Sequence, residues 1–86
     1  MFRVLAIHPA AVRQGDHILV VQDHRADQEP TVMLDTDPAV SAARAAADGG
    51  VDVVLLQPHP GGFSSVPHTM HLHRDDQLTV MRNQHP

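Results

Sequence analysis

Apolar residues in this chain fall in short blocks separated by turn-forming residues, and the blocks differ in character. Met1 to Ile7 is apolar but for Arg3, and His8-Pro9 closes it. A short apolar run ended by a breaker reads as a strand rather than a helix. Gln14-Gly15-Asp16 marks a turn, after which His17-Ile18-Leu19-Val20-Val21-Gln22 is rich in β-branched side chains and predicts a second strand. The polar stretch Asp23 to Pro30 ends it, and Thr31 to Asp35 predicts a third, shorter strand.

The pattern then changes. Asp37-Pro38 reads as an N-cap followed by the residue favoured at the first helical position, and Ala39 to Asp48 holds six alanines before Gly49-Gly50. These signals predict a helix of about three turns, with Val40, Ala43 and Ala47 on one face and a glycine stop at its end. Asp35 would then lie near the positive end of the helix dipole. Alanine buries little area, so this helix is expected to lie close on a sheet.

Val51 to Gln57, with Val53-Val54-Leu55-Leu56 at its centre, is the most hydrophobic strand candidate. Residues 58–67 are dense in Pro and Gly and predict a flexible loop carrying Phe63, one of two aromatic residues. His68 to His73 and Leu78 to Arg82 predict two short strands in a hairpin around Arg74-Asp75-Asp76-Gln77, and residues 83–86 a frayed tail. The expected architecture is a single α+β domain spanning 1–86. Its body is a small antiparallel β-sheet or partly open β-barrel, with one short Ala-rich helix packed on it. A mixed sheet is the alternative.

Two resemblances bear on this reading. Gly15-Asp16-x-Ile18-Leu19 near the start, with Asp75-Asp76-x-Leu78-Thr79-Val80-x-Arg82 near the end, resembles small β-rich proteins of unassigned function from actinobacteria and their phages. Together these segments cover about a quarter of the chain. The resemblance implies a barrel-like fold, fits a phage- or mobile-element-encoded gene, and implies no chemistry. The Ala-rich segment followed by Val51 to Gln57 is similar to the helix–strand unit of response-regulator receiver domains. However, His8-Pro9 and Gln57-Pro58 stand where a receiver needs acids, and 86 residues are too few for its five repeats.

Composition narrows the function classes. The 86 residues have no cysteine, so disulfides and thiolate metal sites are excluded. A net charge of −4, with six arginines and no lysine, excludes a polycationic nucleic-acid binder. Eight histidines make the net charge depend on pH, because protonating all of them would carry −4 to +4. No charged-then-apolar leader and no ~20-residue apolar run occurs, which predicts a cytoplasmic protein.

The candidate chemistry centres on His68-Thr69-Met70-His71-Leu72-His73. Strand alternation turns Met70 and Leu72 inward with His68, and sets Thr69, His71 and His73 on the outer face. Two imidazoles so placed fit one zinc or other divalent ion, with a third ligand from Asp75, His59 or a second chain. The plainer reading is an exposed strand in a histidine-rich protein. Asp75-Asp76 reads first as turn chemistry and otherwise as half of a carboxylate site.

Gly61-Gly62 with Ser64-Ser65 lacks the ending of a phosphate loop, and no serine sits in a nucleophile elbow, so catalysis is not expected. Arg3, Arg13 and Arg82 would form a patch for nucleic acid if the first and last strands are neighbours, although base-stacking aromatics are nearly absent. The expected function is a small non-enzymatic interaction module that binds a protein partner or associates with itself. Its expected contacts are sheet edges, Phe63, His71, His73 and Arg82, and no cofactor is required.

Overall fold

The computed structural model describes residues 1–25, 27–33, 38–58 and 65–83. They form seven strands: β1 (Phe2–Ile7), β2 (His17–Gln22), β3 (Thr31–Val32), β4 (Ala39–Ala45), β5 (Val51–Pro58), β6 (Ser65–Leu72) and β7 (Gln77–Asn83). One 3-10 turn, Pro9–Ala11, follows β1. Every strand pairing is antiparallel, in the order β1-β7-β2-β4-β5-β6, with β3 added to β2.

The α+β expectation is therefore corrected, because the Ala-rich segment is strand β4 and not a helix. Val40 pairs with Leu55 and Ala45 with Val51, so β5 gains a neighbour on an edge that would otherwise be bare. Val40 is buried in the core, while the residues from Ala42 to Ala45 are exposed. As a helix, the segment would be about three turns long and its apolar face mostly methyl groups. Alanine's helical preference is a few tenths of a kcal/mol per residue, too little to outweigh a strand ladder and a buried valine.

The glycines have the same double meaning. Ala46 accepts a hydrogen bond from the Gly49 amide, Ala46 donates to Gly50, and Gly49 has φ +87°. This is a tight hairpin turn followed by a left-handed glycine, a backbone state that also ends helices.

The core comes from both halves of the sheet. Ile18 on β2 with Leu78 and Val80 on β7 meets Val40 on β4, Val51, Val53 and Leu55 on β5, and Leu72 on β6. Burial alternates along β5 and β7, so each strand turns one face inward. The two halves join at a narrow seam, where His17 opposite Ala39 is the one β2–β4 ladder pair. Gly15, Ile18 and Val40 add backbone hydrogen bonds there to Val40, Pro38 and Asp16. Register shifts between Ile18 and Val20 and between Val40 and Ala42 put bulges beside the seam, where a sheet folding on itself must bend.

The hairpin expected around residues 74–77 is also corrected. β7 is already paired on both edges, by β1 and β2, so β6 pairs with β5 alone. The turn after β6 carries the chain from one half of the sheet to the other. Pairing of β5 with β6 begins at Pro58 opposite Ser65, inside the 58–67 segment. Phe63 and His59, with the rest of 59–64, lie outside the described residues, as do Asp35, Asp37 and 84–86. Among the described residues no helix is long and apolar enough to cross a membrane.

Candidate functional site

Among the described residues, chemistry-bearing side chains gather in three places. The first is the crossing from β6 to β7. β2 and β7 stay in register up to Gln22 opposite Gln77, which sets the residues just after β2 beside those just before β7. Asp76 is buried there. Its Oδ1 accepts the His24 amide at 2.9 Å and lies 2.9 Å from His24 Nδ1, and its Oδ2 accepts the His73 amide at 2.9 Å.

One carboxylate thus clips the backbones of two histidines far apart in sequence. Their rings stack, with centroids 3.8 Å apart and planes 15° from parallel. The Asp75 amide donates to His73 Nδ1 at 3.1 Å. Ligand atoms of His24, His73 and Asp76 all lie within 4.8 Å of one another. Burial pulls the Asp76 carboxyl upward, but hydrogen bonds from the His24 ring and from the His73 and His24 amides outweigh it and hold the group below its ordinary value.

The second place is the β4–β5 turn. His71 projects from β6 between two acids, with Nδ1 2.7 Å from Asp52 and Nε2 2.9 Å from Asp48. A neutral imidazole has one N–H, so only the imidazolium donates to both. The bond to Asp52, opposed by partial desolvation and reinforced by Asp48, raises the His71 pKa. Asp48 also accepts the Gly50 amide at 2.8 Å.

Of the expected metal group, His73 thus sits with His24 and Asp76, His71 is bound between Asp48 and Asp52, and Asp75 touches His73 through its amide. Alternation is kept through His71 and Leu72, but β6 ends at Leu72, so His73 follows the turn rather than the strand face. The sequence does not mark His24 or the buried Asp76 clip that joins it to His73. Nothing marks His24 in its polar loop, and neighbouring Asp75 and Asp76 look alike until one folds inward.

The third place is the β1 end of the sheet. Arg3 and Arg82 are register partners on β1 and β7. Arg13 and Arg82 line a cavity of about 400 Å³ with Phe2, His17 and Asn83. The Arg82 guanidinium turns inward onto buried Asp16, with Nε to Oδ1 2.8 Å and Nη2 to Oδ2 2.9 Å, and it also donates to the Ala11 carbonyl. Arg82 is thus tied into the fold.

β1 ends the sheet order on one side, as β6 does on the other, and among the described residues its outer edge is unpaired. Phe2, Val4 and Ala6 share one face of it by alternation. Phe2 is 57% and Val4 62% exposed, whereas Leu5 and Ile7, on the other face, pack against the core.

No protein family, characterised protein or solved structure matches this chain.

Proposed function

We propose that this chain is a small, non-enzymatic, self-associating module of the cytoplasm, in which the β1 edges of two copies pair. The observation that carries this reading is the edge of β1, unpaired among the described residues, with exposed Phe2 and Val4 on the strand. A terminal strand offers a row of free N–H and C=O groups, and natural sheets usually blunt such an edge with charge, proline or a covering segment. Here the outer face carries apolar side chains, and the one charge on the strand, Arg3, lies on the other face.

An antiparallel pair centred on Val4 sets Val4 against Val4, Phe2 against Ala6 and Arg3 against Leu5. That register keeps the two Arg3 side chains from facing each other and is self-complementary, as a two-fold interface requires.

The test is light scattering coupled to size exclusion across a range of concentrations. Wild type is expected to run as a dimer and Val4→Lys as a folded monomer. Wild type monomeric at every concentration, or Val4→Lys still dimeric, overturns the reading. A monomer that captures an extended peptide along β1 would point to a different partner.

A further inference from the structure

We propose that His24, His73 and Asp76 bind a single divalent transition-metal ion of zinc-like character. Two imidazoles and a carboxylate form a nitrogen- and oxygen-rich set suited to Zn2+, Co2+ or Ni2+ rather than to Ca2+ or Mg2+, which take oxygen donors. The three side chains come from separate places, the segment after β2, the end of β6 and the start of β7, yet their donor atoms lie within 4.8 Å of one another.

The convergence is built rather than incidental. Asp76 is buried and holds both histidine backbones through its two oxygens, so the two residues are anchored side by side before any ion arrives while their rings stay free to turn. Each carboxylate oxygen can accept more than one bond, which leaves Asp76 lone pairs for an ion. His24 donating from Nδ1 keeps its Nε2 lone pair, whereas the His73 Nδ1 lone pair accepts the Asp75 amide, so His73 gives up that bond to ligate an ion. Asp23, 3.5 Å from His24 Nδ1, adds negative charge beside the site while itself paired with Arg25.

The stacked rings also state what loading must change. In near-parallel stacked imidazoles the lone pairs lie in two separate, nearly parallel planes, whereas two imidazoles on one tetrahedral ion converge on it from different directions. One ring must therefore swing out of the stack. Both rings have room, with the His24 side chain 33% and the His73 side chain 38% exposed. Three protein ligands leave at least one position for water, so the ion is expected to exchange rather than lock the fold.

Calorimetric titration of tag-free protein with Zn2+ tests this, read together with histidine ring resonances. One ion per chain is expected, with the His24 and His73 ring signals shifting as the stack opens. His24→Ala and His73→Ala are each expected to weaken binding at least about tenfold. His68→Ala and His71→Ala leave it unchanged. Both ligand variants remove half-buried rings and keep the backbone bonds to Asp76, although His24→Ala also loses the ring bond to Asp76; should it unfold, His24→Gln takes its place. Absence of saturable binding at millimolar zinc overturns the site. So does wild-type affinity in a folded His24→Ala/His73→Ala double variant, since the ion would then sit on other histidines.

Discussion

At the scale of single residues, two ion-paired groups carry opposite pH signatures. His71 has a folded pKa above the unfolded value of about 6.5. Its contribution is therefore fully present below that value and is lost as pH rises through the folded pKa. The melting temperature difference between wild type and His71→Gln is expected to be largest near pH 5.5 and to shrink towards pH 8.5; a constant difference would show that His71 does not bridge the acids as a cation. Asp16 runs the other way. Burial raises it, but hydrogen bonds from Arg82 and the Arg13 amide outweigh burial and leave it lowered. That stability is present above the unfolded pKa and is lost in acid as pH falls through the folded one. Removing one partner strands the other inside, so Arg82→Met is expected to cost about 3–5 kcal/mol in urea denaturation. A loss below about 1 kcal/mol would mean the pair behaves as a surface bridge. In a domain whose total is ~4–13 kcal/mol, the larger value decides whether it folds.

At the scale of elements, the strands Phe2–Ile7 and His17–Gln22 and all of Val51–Pro58 but its final proline were legible from their apolar runs, and inward Met70 and Leu72 from alternation, whereas His68, expected on the same side, is exposed. The helix expected over Ala39 to Asp48 was not, because the signals there are local and the decision is not. Six alanines favour a helix by propensity, and Gly49 in the left-handed region ends a helix or turns a hairpin equally well. What selects the strand is β5, whose edge would otherwise face solvent, and that information lies outside the segment. Gly50 distinguishes the outcomes by substitution. A Cβ at Gly50 would lie 2.3 Å from the Leu72 carbonyl oxygen, whereas one at Gly49 meets only the Arg74 side chain, at 3.5 Å or more. Gly49→Ala is thus expected to lose about 1–2 kcal/mol from its backbone state, and Gly50→Ala more, with loss of protection in β6 amides. Equal losses would place the turn elsewhere. The connection from β6 to β7 follows the same logic, since its four residues fit a hairpin locally but both edges of β7 are already taken.

At the scale of the whole molecule, the fold gathers residues that no spacing in the sequence connects. His24 and Asp76 lie 52 positions apart and meet because β2 and β7 share a register. The histidine richness was visible from the start, but its division into a clamp at His71 and a stacked pair at His24 and His73 depends on where β6 ends. The exposed Phe2 and Val4 were likewise readable only as half of an apolar strand; that β1 is terminal, with its apolar face uncovered, comes from the sheet order. The most direct test of the self-pairing follows from that order. In an equimolar mixture of 13C-labelled and unlabelled chains, isotope-filtered NOE spectra report contacts between copies alone. Val4 methyl to Val4 methyl and Phe2 ring to Ala6 methyl cross-peaks are expected between copies; intermolecular peaks confined to other strands, or none at concentrations where light scattering reports a dimer, would contradict pairing through β1.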